Sequence, residues 1–407
     1  MMTIADTTLC GARTITVDGE SRAPVAIAAG KICASLLGHA YHIDLRDHVV
    51  APGLINAHEH LHLNAVPPLP TGAPFPNSYA WIEAFKAHFR NPAVVAALAV
   101  PKTLRLRHGA LKNLLAGTTC VAHHDPWHPA LDAVGFPVAL LRDYGWAYAL
   151  GWPAYGPPVW QSFDATPVDR PWMIHLAEGT DAAAQAELVQ LDAMGCLASN
   201  SVLVHGVGLR ERDVDRVIEA GAAVVWCPTS NRNLLGRTLD PRRLQAVGRL
   251  MLGGDSRLSG ARDLLEELRV VAEMGVFGAR ETLALATADA ARMLRLPQRG
   301  HLAAGARADL LVVPDRGGDA ARSVVGIERS RIRVVVRDGV PRIADPDFAG
   351  WFAATGVETV PVMLDGKPKL LAKALADPAL AEMEPGLEFV SRMGQSAREP
   401  AFAEGCR

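Results

Sequence analysis

Residues 52–60 read PGLINAHEH, an apolar run that ends in two imidazoles, His58 and His60. Residues two apart on a strand project to the same side, so this pair turns two nitrogens toward one centre. Outward from there, between Gly53 and about Leu296, short apolar strands alternate with longer helical stretches, the βαβ rhythm of a parallel sheet. The strand candidates are GLINAHEH, GTTCVAHH, WAYALGW, PWMIHLAE, SVLVHGVG, AAVVWCPTS and RLMLGGDS. Segments such as DAAAQAELVQLDAMG and RDLLEELRVVAEMG carry apolar residues three or four apart, as helices do. About 245 residues of this kind is the size of one α/β (β/α)8 barrel, TIM-like in form. Seven strands are convincing, and the stretch from Asp125 to Arg170 is too short for two complete βα units, which predicts an irregular barrel at strands 3–4.

The two ends differ from this middle. Residues 1–52 and 299–350 hold β-branched runs punctuated by Gly and Asp (TITVDGE, HIDLRDHVV, RIRVVVRDGVPRIA), and together predict a small β-sandwich domain. The barrel is expected over 53–298 and a C-terminal extension over 351–407, whose last polar stretch is expected to be partly mobile. The Pro-rich stretch VPPLPTGAPFPNSY, residues 66–79, reads as a structured loop at the mouth of the first strand.

Composition narrows the function classes. The 407 residues include 41 Lys+Arg and 43 Asp+Glu, a formal net charge of −2, with no basic stripe of the kind phosphate neutralisation requires. No nucleic acid is expected as partner, and a small-molecule substrate is. No uncharged apolar window long enough for a spanning helix occurs, so no membrane partner is expected. The first residues lack a basic stretch followed by an apolar run, so no secretory leader is expected. Six cysteines without CxxC spacing suit reduced thiols in a cytoplasmic protein, and leave any metal to His and carboxylate ligands.

Further polar groups end apolar strands, which in a parallel barrel is the rim where catalytic groups sit. MIHLAE supplies His175, VLVHG supplies His205 and LGGDS supplies Asp255. Three imidazoles and one carboxylate suit a divalent ion, Zn2+ or Fe2+, with a water completing the set, and the net positive charge favours deprotonating that water. Glu178, three residues after His175, reads either as a complement to the following helix N-terminus or as a carboxylic acid that protonates a leaving nitrogen. His123, His124, Asp125 and His128 in AHHDPWH read equally as substrate contacts, as groups that support the ligands from behind, or as purely structural groups. Arg232 in CPTSNRNLLG is a candidate for an anionic substrate group, with Ser230 and Asn231 ordering the loop. Trp81, Trp127 and Trp152 could stack on a planar ring or simply pack.

PGLINAHEH, HLAEG, VLVHG, CPTSN, GGDS and GARADLLVV together resemble the amidohydrolase superfamily, in particular its cytosine-deaminase and chlorotriazine-hydrolase branch. The resemblance implies that His58, His60, His175 and Asp255 bind one metal, zinc in preference to iron. It also implies that Glu178 shuttles protons, that His205 polarises the substrate or the attacking water, and that Asp255 accepts that water's proton. Dinuclear relatives use a carboxylated Lys on the fourth strand, whereas this chain has no Lys between Lys112 and Lys367, which favours a mononuclear site. Direct ligation by His205 is the alternative. The implied activity is hydrolysis of a carbon–nitrogen bond, foremost deamination of a small nitrogen heterocycle. Cyclic-amide opening, as in imidazolonepropionase-like relatives, and triazine dechlorination are alternatives. A metal-free scaffold would be expected to lack ligands, and none is missing. The Arg-Gly pair that often follows the HxH strand in nucleoside-type deaminases is absent, so a purine nucleoside is not expected as substrate. A homodimer is a family-level expectation.

Overall fold

The computed structural model describes residues 5–35, 40–69, 72–152 and 154–390. Eight parallel strands follow one another through the middle of the chain: β1 (Leu54–Glu59), β2 (Thr118–His123), β3 (Ala139–Leu140), β4 (Gly145–Ala149), β5 (Trp172–Leu176), β6 (Ser201–His205), β7 (Ala223–Trp226) and β8 (Leu250–Leu252). They are hydrogen-bonded as two arcs, β1 to β3 and β4 to β8, with neighbours in chain order. Most are buried along their whole length, as parallel strands covered by helices must be. The end of β8 meets β1, since the Gly254 N–H donates to Asn56 Oδ1 at 2.9 Å and the Asp255 N–H to the His58 carbonyl at 3.0 Å.

The irregularity lies at β3 and β4. β3 spans only two residues, too few to display an apolar pattern in the sequence. No helix separates it from β4, whose pairing with β5 shifts register between Trp146 and Ala149.

Strands from the two ends of the chain build the other sheets. One has four strands, all from Thr7–Asp44, and the other has nine. In the larger, His48–Pro52 pairs antiparallel with Leu310–Pro314, and the Gly53 N–H donates to the Asp309 carbonyl at 2.9 Å, so this sheet fixes the direction in which β1 starts. Thr359–Leu364, Lys367–Ala372 and Leu387–Phe389, all within the segment set apart above as a C-terminal extension, continue the same sheet. Their alternating burial belongs to a sheet with one covered face, a weaker pattern than the buried runs of the barrel strands. The polar end of the extension and Cys406 lie outside the described residues, as do Pro70 and Thr71 of the Pro-rich loop.

The helix Lys102–Leu115 lies against the turn Leu61–Leu63 so closely that a Cβ at Gly109 would collide with the Leu61 carbonyl oxygen. This contact carries Lys112 to the back of β1. Among the described residues, no helix is long and apolar enough to cross a membrane.

Candidate active site

The carboxyl ends of β1, β5, β6 and β8 bring His58, His60, His175, His205 and Asp255 together. His58 Nε2 and His60 Nε2 stand 3.8 and 3.7 Å from Asp255 Oδ1, and His175 Nε2 is 3.3 Å from His60 Nε2. The opposite ring atoms are anchored. His175 Nδ1 donates to the Tyr148 carbonyl at 2.8 Å, and His60 Nδ1 donates to Asp125 Oδ2 at 2.6 Å. Each imidazole therefore aims its Nε2 at the common centre. Asp255 Oδ2 accepts from Ser230 Oγ at 2.7 Å and Ser259 Oγ at 2.6 Å, which leaves Oδ1 facing the histidines.

His58 is fully buried and neither ring nitrogen has a hydrogen-bond partner. An unpaired polar group in the interior costs about 1–3 kcal/mol, which a coordinated cation would offset. One atom each from His58, His60 and Asp255 lie within 4.8 Å of one another, as do atoms from His58, His124 and His175. Burial holds the His58 and His175 imidazoles well below their ordinary pKa, so they stay neutral and able to ligate. Burial also lowers that of His60, but the Asp125 carboxylate outweighs it and raises the value to about 9. This donor set fits a divalent ion.

Glu178 and His205 form the second half of the site. His205 Nδ1 donates to Asn231 Oδ1 at 2.8 Å, leaving Nε2 to face Glu178 Oε1 at 3.4 Å. Burial raises the Glu178 pKa, and the negative charge of Asp255 adds to the effect while His205 opposes it. The backbone is strained here. Ala177, His205 and Asp255 have φ of +52°, +76° and +54°, a left-handed conformation that side chains other than Gly rarely adopt. Ala177 is held by its N–H bond to Glu187 Oε2 at 2.6 Å, and Glu187 in turn accepts from the Tyr79 hydroxyl.

A cavity of about 290 Å³ opens on these groups. His60, Asp125, His175, Glu178, His205 and Asp255 contribute polar wall, and Trp81, Phe85, Phe89, Trp152 and Leu258 contribute apolar wall. Lys86 reaches over the Trp152 ring at 4.6 Å while paired with Glu83 at 2.7 Å. Three expected substrate contacts lie off this wall. His123 and His124 are fully buried, with His124 stacked on His175 at 4.4 Å between ring centroids and bonded through Nε2 to the Ala147 carbonyl at 3.0 Å. Arg232 is exposed on the helix Pro228–Leu235, which spends its inward positions on Ser230 and Asn231. Trp127 is also exposed and away from the cavity.

The sequence marks Asp125, just beyond β2, as a group that could support a ligand, but not that the ligand it anchors is His60. Tyr148 and Tyr155 on the cavity wall, and Glu187 behind Ala177, carry no such mark.

The amidohydrolase family model matches residues 161–342. A solved adenosine deaminase from Xanthomonas campestris with bound zinc is similar over 87% of this chain and 98% of that one, with TM-score 0.66 and 19% identity. An atrazine chlorohydrolase from Arthrobacter aurescens complexed with zinc is similar over 86% and 100%, with TM-score 0.67 and 21% identity. What these comparisons share is likeness to amidohydrolases, carried in the sequence by residues 161–342. Among curated relatives, the 5-methylthioadenosine/S-adenosylhomocysteine deaminase of Haloquadratum walsbyi is 37% identical over 136 residues, 31% of this chain and 30% of the relative. The aminodeoxyfutalosine deaminase of Deinococcus radiodurans is 45% identical over 71 residues, 17% of each. The chain thus spans under a third of the length of these curated relatives.

Proposed function

We propose that this protein is a metal-dependent amidohydrolase acting on a carbon–nitrogen bond and that its reaction is deamination of a small nitrogen heterocycle. The observation that carries the reading is the placing of Glu178, a largely enclosed carboxyl with a raised pKa, on the same cavity wall as the converging donors of His60, His175 and Asp255. The deaminase names of the curated relatives favour loss of ammonia over ring opening or dechlorination.

His58, His60, His175 and Asp255 would hold one divalent ion, and three nitrogens with one oxygen favour zinc over iron. When bound, the ion supplies Lewis acidity that lowers the pKa of water for attack at neutral pH. Asp255 Oδ1 takes the proton of the attacking water, because Oδ2 is committed to Ser230 and Ser259. Glu178 gives its proton to the ring nitrogen, a role suited to a carboxylic acid that stays protonated above its usual range. As the carbonyl forms, the added hydroxyl returns a proton to Glu178 and the proton held by Asp255 passes to the departing amine, which leaves as ammonia. His205, fixed by Asn231, orients Glu178 and the substrate. The absence of Lys from β4 supports a single ion. The same reading takes 53–298 as the closed catalytic barrel, the end strands as a sandwich, and the cytoplasm as the location.

The test is ammonia release from zinc-replete protein over purines, 5-methylthioadenosine, pyrimidines, pterins and triazines, with metal analysis. Glu178→Gln is expected to keep about one equivalent of zinc and lose turnover by roughly 10³-fold or more, and His175→Ala to lose the metal. Normal turnover in Glu178→Gln, or less than about half an equivalent of zinc in the parent, overturns the reading. A ring-opened acid or chloride as product would move the reaction to one of the two alternatives.

A further inference from the structure

A second set of donors converges next to the first. His62 lies on the turn Leu61–Leu63 after β1, His123 ends β2, and Asp125 follows two residues later. One atom from each lies within 4.8 Å of the other two. His62 Nδ1 is 3.5 Å from Asp125 Oδ2. Two ligands each held about 2.1 Å from one tetrahedral ion would stand roughly 3.4 Å apart, so this spacing already suits coordination.

Among the described residues the two rings make one hydrogen bond between them: His123 Nδ1 accepts the Leu61 N–H at 3.3 Å, a long bond that His123 would give up to coordinate an ion. His62 Nδ1 and His123 Nε2 are buried without a hydrogen-bond partner, and His123 is fully buried. Neutral core histidines ordinarily find a partner for each ring nitrogen. Asp125 does have partners, His60 Nδ1 on Oδ2 at 2.6 Å and the Tyr155 hydroxyl on Oδ1 at 2.7 Å. His62 and Asp125 both lie on the cavity wall, so a cation has a path from solvent.

We propose that His62, His123 and Asp125 form a second, weaker divalent-cation site through which excess zinc slows turnover. The effect on turnover rests on the function proposed above, whereas the existence of the site does not. The second site is weaker because it has three protein donors, because its carboxylate is shared with His60 and Tyr155, and because an ion held by His60 repels another nearby. Filling it draws Asp125 from His60 Nδ1, which loosens an orienting contact, and places charge on the wall that substrate must pass.

Equilibrium dialysis of the intact protein against Zn2+, with metal analysis, tests the proposal. The parent is expected to take up two equivalents, the second at least tenfold more weakly. His62→Ala and His123→Gln should each weaken the second equivalent by at least tenfold while the tight one remains, with circular dichroism reporting the fold. His58→Ala should lose the tight equivalent and keep the weak one. Turnover of the parent should fall as the weak site fills, and His62→Ala should need at least tenfold more zinc for the same fall. Uptake of a single tight equivalent up to millimolar zinc, or an unaltered second equivalent in both His62→Ala and His123→Gln, overturns the proposal. Failure of the primary reading looks different, since the parent would then hold one weak equivalent that is indifferent to His58→Ala and lost in His62→Ala.

Discussion

The two faces of β1 bury polar groups in opposite ways. On one face Glu59 is fully buried and its carboxylate takes four donors: Lys112 Nζ at 2.8 Å, Asn113 Nδ2 at 2.9 Å, Asn56 Nδ2 at 3.2 Å and Asn64 Nδ2 at 3.1 Å. On the other, one residue away, His58 is equally buried and has none. The first cluster is complete within the protein and acts as structure. The second is incomplete within the protein, and that is what marks it as a place for a cation.

The contrast predicts which substitutions unfold the protein and which only empty it. Lys112→Met leaves Glu59 charged and buried without its cation, and should lower stability by about 3–5 kcal/mol in chemical denaturation. A loss under about 1 kcal/mol would mean that the back face is no more complete than the front. Zinc should act only on the front face. At a free concentration about 1,000 times its dissociation constant it adds about 4 kcal/mol to the parent; in His58→Ala only the smaller increment of the weaker second site should remain, whereas Lys112→Met should keep the full one.

Glu187 lies between these extremes, a buried carboxylate with two donors and no cation. Burial pushes its pKa from an ordinary 4.5 up to about 7. Between those values the folded state keeps a proton that the unfolded chain releases, so the group lowers stability as pH rises through that window, by on the order of 3 kcal/mol. Glu187→Gln cannot ionise. Its stability relative to the parent should therefore climb from about pH 4.5 to about pH 7 and then level off, and a gap independent of pH would remove Glu187 from the comparison. The smallest effect is expected at Asp125, where Asn keeps the shape and loses the charge that orients His60. Zinc affinity should fall by about 10–100-fold, and unchanged affinity would show that His60 is oriented by its backbone alone.

Much of this was readable before any coordinates. His58, His60, His175, His205 and Asp255 each end an apolar strand, and strand ends in a parallel series share one rim, so their grouping follows from local pattern and one topological rule. What escaped depends on distant partners. Lys112 reads as one cation on an amphipathic helix, and only packing at Gly109 carries it to Glu59, 53 positions away. Asp125 was visible, but its bond to His60 spans 65 positions. His123 and His124 resembled substrate contacts because they also follow a strand, yet the imidazole stack turns His124 under His175. β3 was too short to show periodicity, and the strands of 359–389 lie in a sheet whose order does not follow the chain.

The bond from the Gly254 N–H to Asn56 Oδ1 joins positions 198 apart. An ion shared by His58, His60 and Asp255 would rivet the same seam, so a catalytic cofactor would also act as a long-range cross-link of the folded chain whose binding free energy adds to its stability. Chelation would then do more than stop chemistry: it would let the first and last strands of the series part before the rest, exposing the chain there to proteases while the end sheets still stand.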